Sequence, residues 1–293
     1  MKVGMECAHC LLERAINQVK LATDDPALQM DVVTEMLRML GDKFTKDSVP
    51  SHIGTDRDLL VQRMTGKDPY AELKRLSNSI ALSIAPELFS LVDAEVSAEK
   101  RFRKAILVAA AANSIEFDVS GREFSLEELR DIISRVEDDL AVDQIEEVYA
   151  LCQNASSIAY LMDNAGEIVL DTILIREVKR LGSKVYAVVK GGPVLNDATM
   201  TDADEIGLRK HVDGVYDTGA AAIGVNPDRN LPEFMSLLQS VDLIIAKGMG
   251  NYESMTEFDL RVPVVHILRT KCLPVANHMG CSRDRNVVMV RRT

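Results

Sequence analysis

The sequence is poor in cysteine, in positive charge and in long apolar runs, and each shortage excludes a class of protein. Five cysteines among 293 residues are too few for a disulfide scaffold. Acidic residues outnumber basic residues by 45 to 34, and the net charge of −11 disfavours nucleic acid or a membrane surface as the main partner. Apolar stretches such as Ala105–Ala112 are shorter than the ~20 residues of a membrane-spanning helix, and no apolar signal segment opens the chain. We therefore expect a soluble, cytoplasmic protein with reduced thiols.

The sequence also lacks the motifs of several common enzyme classes. Neither a P-loop, G-x-x-x-x-G-K-[ST], nor a nucleophile elbow, G-x-S-x-G, occurs. The glycine turn after Lys247 has Glu253 where a dinucleotide-binding motif places its last glycine. Cys152 and Cys272 have no evident histidine partner, which disfavours acyl transfer through a cysteine nucleophile.

Hydrophobic periodicity divides the chain into two parts. Apolar residues recur at helical spacing through the first hundred residues, so 1–100 is predicted to be an all-helical domain. In the second part, short apolar runs of strand length alternate with amphipathic helical segments, which predicts an α/β domain over 101–293. Because the runs are continuously apolar, we expect a largely parallel sheet covered by helices on both faces. The runs are Ile158–Met162, Val185–Val189, Val212–Tyr216, Leu243–Ala246, Val264–Leu268 and Val287–Val290.

Acidic and amide side chains follow two of the predicted strands. Ile158–Met162 stops at Asp163 and Asn164, and the next run is followed by two glycines and then Asp197. Ligands of open α/β sheets bind at the carboxyl ends of strands, and carboxylate and amide oxygens suit a hard divalent cation. The alternative is that these residues only cap the helices and turns that follow. The spacing leaves both interpretations open.

Basic residues follow two other strands. Leu243–Ala246 is followed by Lys247 and a glycine-rich turn, and Val264–Leu268 by Arg269 and Lys271. Ammonium groups beside exposed backbone N–H groups suit an anion, although a glycine turn with a solvated lysine is an equally ordinary interpretation. Together the four strand ends offer the residue types required for metal-assisted phosphoryl chemistry.

A C-x-x-C motif, Cys7 to Cys10, lies near the N-terminus. On a helix the two sulfurs would share one face, as a zinc site or a redox pair requires. A zinc site needs two more ligands, however, and no second C-x-x-C occurs. We therefore interpret the pair as two partly buried structural thiols.

Several of these motifs, in this order, resemble the metal-dependent damage-control phosphatases, a family formerly known as a domain of unknown function. The segment around Asn113 resembles a further family motif, with Glu116 where aspartate is commoner. Asp68–Tyr70 and the C-x-x-C motif resemble the microbial stand-alone branch. The four motifs that carry the resemblance are Asp163–Glu167, Gly192–Asp197, Lys247–Tyr252 and Arg269–Lys271.

The resemblance implies a fold, a cofactor and a set of site residues. The fold would be an all-helical N-terminal domain on a three-layer α/β/α sandwich with a largely parallel, Rossmann-like sheet. The cofactor would be a divalent cation, Mn²⁺, Mg²⁺, Co²⁺ or Ni²⁺, held by Asp163, Asn164 and Asp197. Lys247, Asn251 and Lys271 would bind the substrate phosphate, and Glu167 and Asn113 would line the pocket, with Asp163 and Lys247 as the catalytic residues.

The leading hypothesis is a metal-dependent phosphomonoester hydrolase that acts on small phosphorylated metabolites, such as sugar phosphates or damaged cofactor intermediates. Direct attack by water is favoured, because the D-x-D spacing of aspartyl-phosphate enzymes is absent. Two alternatives remain. One is an S-adenosylmethionine-dependent carboxyl methyltransferase, an activity assigned to a related animal protein; the other is a sensor that binds phosphorylated metabolites without turnover. The sequence leaves open the physiological substrate, the native metal and the oligomeric state.

Overall fold

The computed structural model describes residues 1–112 and 126–292, with the Leu126 side chain left out. The first of these ranges is helical throughout, as its periodicity predicts. Prolines at the first turns of α2 and α3 fit there because the first N–H groups of a helix have no partner inside it. Gly66, at φ 70°, ends α3. The five helices are α1 (Glu6–Ala22), α2 (Pro26–Lys43), α3 (Pro50–Thr65), α4 (Ala71–Asp93) and α5 (Ala98–Ala112).

Seven strands in the described chain form one sheet in the order β1-β7-β6-β5-β2-β3-β4. The pairs from β6 through to β4 are all parallel, whereas β7 runs antiparallel to β6 and parallel to β1. The prediction of a largely parallel sheet is therefore confirmed. The strands are β1 (Leu140–Asp143), β2 (Ser157–Leu161), β3 (Lys184–Val189), β4 (Gly214–Asp217), β5 (Leu243–Lys247), β6 (Val264–Arg269) and β7 (Asn286–Arg291).

Helices cover both faces of the sheet, which gives the predicted three-layer sandwich. Alternate residues of β2 enter different cores: Ile158 and Tyr160 pack on one face, and Ala159 and Leu161 on the other. The first face is covered mainly by α4, α5 and α8 (Glu167–Arg180), and the second by α10 (Pro232–Ser240) and neighbouring loops. The remaining helices are α6 (Leu126–Asp138), α7 (Ile145–Asn154), α8 (Glu167–Arg180), α9 (Met200–Glu205), α10 (Pro232–Ser240), α11 (Gly248–Met255) and α12 (Leu273–Met279).

Two strands differ from what the hydrophobic periodicity predicts. The strand β1 was not predicted, because its four residues alternate between half-buried and exposed and leave no apolar run to detect. The strand predicted from Val212 begins instead at Gly214. Val212 is apolar because it is buried in the core just before the strand, and not because it belongs to the strand. Both differences lie at or near the sheet's edges, where fewer buried side chains mark the pattern.

The helical part contributes to two different cores. Helices α1, α2 and α3 share a small cluster around Leu11, Met36 and Ile53. Ala81 and Leu88 of α4, in contrast, belong to the large core that also buries β2 and α8. The domain boundary at residue 100 stays a prediction. Helix α3 also packs on α11, which places the helical part over one end of the sheet. No helix in residues 1–112 or 126–292 is long and apolar enough to cross a bilayer.

One buried histidine makes the stability of this fold depend on pH. His266 of β6 is completely buried, its ring lies edge-on to Tyr252 at 5.0 Å between centroids, and neither ring nitrogen has a hydrogen-bond partner in the described chain. Burial, assisted by the charge of Arg291, lowers the pKa of His266 from 6.5 to about 3. The unfolded chain therefore binds more protons than the folded chain between these two pH values, and stability is lost as the pH falls.

We expect His266→Phe to remove this acid sensitivity, because phenylalanine keeps the ring and carries no proton. Relative to the variant, the wild-type protein should lose about 2 kcal/mol of unfolding free energy between pH 7 and pH 4.5. Urea unfolding at the two pH values measures the difference, with the exposed His9→Gln as the control. Equal losses in wild type and His266→Phe would show that His266 does not contribute to acid lability.

Candidate active site

The predicted acidic and basic turns lie side by side at one end of the sheet. Strands β2 and β5 are parallel neighbours, and the chain turns to opposite sides of the sheet from this pair. Such a switch point opens a crevice beyond the carboxyl ends of the two strands. Asp163 follows β2 and Lys247 ends β5. A Cβ atom added at Gly248, where φ is +76°, would lie 1.9 Å from Oδ2 of Asp163, so only glycine lets the two turns meet this closely.

Backbone hydrogen bonds bring the loop after β3 against the acidic turn. The amide of Ala198 donates to the carbonyl of Asp163 at 2.8 Å, and the amide of Ala165 donates to the carbonyl of Asn196 at 2.9 Å. These bonds place Asn164 opposite Asp197 in a short antiparallel bridge. Asp163, Asn164 and Asp197, which lie 34 residues apart at most in sequence, therefore line one cavity.

The acidic side chains form a cluster that suits a cation. Burial and the charges of Glu167 and Asp197 raise the pKa of Asp163 well above its ordinary value. Burial raises the pKa of Asp197 to about 6, against the opposing effect of Lys190, whose Nζ lies 3.5 Å from Oδ2. Each raised pKa means that ionisation of the carboxyl group is unfavourable in these surroundings. A bound divalent cation would favour the ionised form instead. The residues present therefore fit a metal.

The orientation of Asn164 fits the same role. Its Nδ2 donates to Oε1 of Glu167 at 2.6 Å and to Oδ2 of Asp163 at 3.1 Å. The amide nitrogen is thus committed to the carboxylates, and Oδ1 is the Asn164 atom suited to a cation. In the described residues no three His, Cys, Asp or Glu side chains are arranged to hold a metal, so the predicted ligand set depends on this amide oxygen beside two carboxylates.

Lys247 is deeper than the sequence predicts. Its side chain is completely buried, and Nζ donates to Oδ1 of Asp171 at 2.6 Å and to the carbonyl of Ala109 at 2.8 Å. Glu167 Oε2 lies 3.6 Å away. Burial opposes the charged form, but Asp171 and Glu167 outweigh it and raise the pKa of Lys247. The ammonium therefore stays charged, on the α5 and α8 side of the turn. Its contact with substrate stays a prediction.

The other predicted substrate residues are placed differently from one another. Lys271, after β6, is exposed and lines the cavity, and its charge acts on Asp163. Glu167 is buried at the start of α8 beside the acidic cluster. Asn251 is buried in α11, where Nδ2 donates to the carbonyl of Lys247 at 2.8 Å. Asn113 lies outside the described residues, so its role stays a prediction.

The cavity lies between the sheet and the helical part and has a volume of about 650 Å³. Asp163, Asn164, Asp197 and Lys271 form its sheet side. Helices α1 and α3 form the opposite side. This volume suits a small metabolite.

Comparison with known proteins decides the family. Residues 3–287 match the family model described as the damage-control phosphatase ARMT1-like domain. The chain belongs to this family. A damage-control phosphatase of Archaeoglobus fulgidus is 35% identical over 282 residues, which cover 96% of each chain. The damage-control phosphatase PH1575 of Pyrococcus horikoshii is 30% identical over 293 residues, which cover 99% of this chain and 98% of the relative.

The fold of this damage-control phosphatase family member agrees with a solved structure. The crystal structure of PH1575, described as a DUF89 family protein, matches with a TM-score of 0.88 at 29% identity over 100% of both chains. The family resemblance read from the sequence is therefore confirmed. The C-x-x-C motif as a mark of the microbial branch stays a prediction.

The sequence does not reveal which residues hold the loop after β3, the loop that carries Asp197. Asp58 of α3 accepts hydrogen bonds from Gln18, from Nε2 of Gln62 at 2.6 Å and from the backbone of Leu195. Leu195, at φ 47°, lies two residues before Asp197. Nothing in the local sequence marks Asp58. Lys190 carries a usable signal, because it directly follows β3 and precedes two glycines, much as Lys247 ends β5 before Gly248.

The cysteines of the motif lie in the cavity wall. All five cysteines of the protein are free thiols, and Cys7, Cys10 and Cys272 line the cavity. Burial raises the pKa of the Cys7 and Cys272 thiols, which favours their protonated form at neutral pH. The interpretation as structural thiols stays a prediction.

Proposed function

We propose that this chain is a metal-dependent phosphomonoester hydrolase acting on small phosphorylated metabolites, such as sugar phosphates or damaged phosphorylated cofactor intermediates. The observation that carries the proposal is the convergence of Asp163, Asn164, Asp197 and Lys271 on one cavity. Membership of the damage-control phosphatase family supports the reaction type.

The acidic residues would hold the metal, which in this proposal is Mn²⁺, Mg²⁺, Co²⁺ or Ni²⁺. When bound, a divalent cation polarises a phosphoryl oxygen and orients an attacking water. Asp163 and Asp197 would contribute carboxylate oxygens and Asn164 its amide oxygen. Lys190, 3.5 Å from Asp197, favours the ionised form of that carboxylate, which a metal ligand requires.

The cationic residues would bind the phosphate. Lys271 lines the cavity, and its ammonium would neutralise charge on the phosphoryl oxygens. An ammonium group has three donors, and Lys247 uses two of them on Asp171 and Ala109. Oε2 of Glu167 lies 3.6 Å from Nζ, and in this proposal a phosphate oxygen would compete with this carboxylate for the third donor. Asn251 and Glu167 border Lys247. Asn251 donates a hydrogen bond to the carbonyl of Lys247, and Glu167 accepts one from the amide of Asn164.

We expect hydrolysis of p-nitrophenyl phosphate to depend on added metal. Chelation with EDTA should lower the rate to background, because two buried carboxylates without a cation repel a phosphate anion. Dialysis followed by Mn²⁺, Mg²⁺, Co²⁺ or Ni²⁺ should restore it, with mock-dialysed protein as the control. Release of p-nitrophenol is followed by absorbance.

Three results would reject the proposal in different ways. Hydrolysis that chelator leaves intact would exclude the metal site. Calorimetric binding of phosphate esters without turnover for any metal would indicate a sensor. Tight, metal-independent binding of S-adenosylmethionine would favour the carboxyl methyltransferase.

A further inference from the structure

A second cationic group lies in the wall of the same cavity, on the helical side. Arg57 of α3 lines the cavity, yet its side chain is only 2% exposed. Its Nε and Nη2 atoms are buried and have no hydrogen-bond partner among residues 1–112 and 126–292. The guanidinium lies beside Gly54, whose added Cβ would be 3.9 Å from Nη1 and 4.0 Å from Nη2. A buried guanidinium with two unpaired donors therefore lies in the wall of the cavity.

An arginine that served the fold alone would be paired. Burying a charged group without a partner costs several kcal/mol. The adjacent carboxylate, Asp58, is occupied by Gln18, Gln62 and the backbone of Leu195. In the described part of the chain, Arg57 makes no ion pair, although Glu253 lines the same cavity. The described residues therefore provide no pairing that would justify its burial.

A neighbouring cation, Arg14, favours an anion as the missing partner. Arg14 of α1 lines the same cavity and acts on Arg57 with like charge. Burial and this charge lower the pKa of Arg57 to about 10, so the group remains a cation at neutral pH. A guanidinium binds carboxylate or phosphate through two parallel hydrogen bonds, and Nε and Nη2 are one such pair of donors.

The position of Arg57 is fixed relative to the acidic cluster. Its neighbour Asp58 bonds the backbone of Leu195, in the loop that carries Asp197. One ligand in the cavity of about 650 Å³ could therefore contact both the acidic end, formed by Asp163 and Asp197, and the guanidinium of Arg57.

We propose that Arg57, assisted by Arg14, forms a second anion subsite that binds a carboxylate or a second phosphate of the substrate. The inference rests on the proposed function for the identity of the first group, the phosphate at the acidic end. It narrows the substrate class from phosphomonoesters in general to those that carry a second oxyanion.

Matched ligand pairs test the subsite. 3-Phosphoglycerate differs from glycerol 3-phosphate by a carboxylate, and fructose 1,6-bisphosphate differs from fructose 1-phosphate by a phosphate. The preference is measured as kcat/KM by phosphate release with Mn²⁺, and as affinity by calorimetry with Mn²⁺ for any ester that is not hydrolysed. We expect the wild-type protein to prefer the doubly anionic member of at least one pair by about 10- to 100-fold. The preferred pair distinguishes carboxylate from phosphate.

Arg57→Met should reduce this preference to about one. Arg63→Met, an exposed arginine six residues away on α3, is the matched control and should keep the wild-type preference. Arg57→Gln replaces Arg57→Met if the latter does not fold. Because the guanidinium has no partner in the part of the chain that the structure describes, the Tm of Arg57→Met without ligand should equal or exceed that of wild type.

The outcomes separate this inference from the proposed function. Equal affinity within both pairs in wild type, or an unchanged preference in the Arg57 variants, would overturn the subsite. A large fall in Tm of both Arg57 variants without ligand would assign Arg57 to folding and overturn it as well. Absence of phosphate release from every ester, together with an Arg57-dependent binding preference, would reject the hydrolase and retain the subsite.

Discussion

Asp163→Asn is expected to lower kcat for phosphate release by about 1,000-fold or more. Asp163 lies at the point where the turns after β2 and β5 meet. Its Oδ2 atom occupies the space that a side chain at position 248 would fill, and residue 248 is a glycine. The amide keeps the shape of the carboxylate and removes its charge. A metal ligand and the negative charge that attracts the cation are therefore lost together, while the packing of the turn is kept.

The same substitution should not destabilise the metal-free protein. Asp163 is buried beside Glu167 and Asp197, and the mutual repulsion of these carboxylates is reduced in the variant. Urea unfolding in EDTA is expected to give an unfolding free energy equal to or above that of wild type. Asp204→Asn, an exposed acid of α9, is the control for activity and stability. Asp163→Asn with activity within about tenfold of wild type would remove Asp163 from the reaction.

Lys247→Met is expected to lose both stability and activity. The ammonium is the buried partner of Asp171, at 2.6 Å, and removing it leaves that carboxylate without a compensating charge. Breaking a buried pair from one side costs about 3–5 kcal/mol. Urea unfolding measures this cost, and Lys179→Met, a lysine of α8 that is 33% exposed in its pair with Asp213, should cost far less.

A double variant separates the two roles of Lys247. In Lys247→Met with Asp171→Asn, the uncompensated carboxylate is neutral, and the amide oxygen can still accept the hydrogen bond from Tyr160. We expect most of the stability to return and phosphate release to remain at background, because the donor to the phosphate is still absent. If the double variant recovers activity along with stability, Lys247 has only a structural role.

Much of the fold could be read from the residues because its signals are local. The core runs of β2, β3, β5 and β6 are buried on both faces, so continuous apolar sequence marks them. Their ends carry Asp163, Lys247 and Lys271, and parallel neighbours necessarily present these ends at one edge. The strand β1 was not predicted, because an exposed edge strand needs no apolar run.

The depth of the site residues could not be read in the same way. Lys247 and Lys271 have the same signal, a lysine after an apolar strand, yet one is completely buried and the other exposed. The difference comes from α5 and α8, which supply the carbonyl of Ala109 and the carboxylate of Asp171. These partners lie 138 and 76 residues from Lys247 in sequence.

The sequence alone determined the order of the elements, the residues at the strand ends and the family that carries them. Only the tertiary structure decided that α1 and α3 close the cavity and that Asp58 holds the loop of Asp197. It also decided that Arg57 is buried with no partner in the described residues for Nε and Nη2. Periodicity and turn residues act over a few neighbours along the chain, so they can be read locally. Burial and pairing depend on which distant segments pack together, and a helix face in isolation does not carry that information.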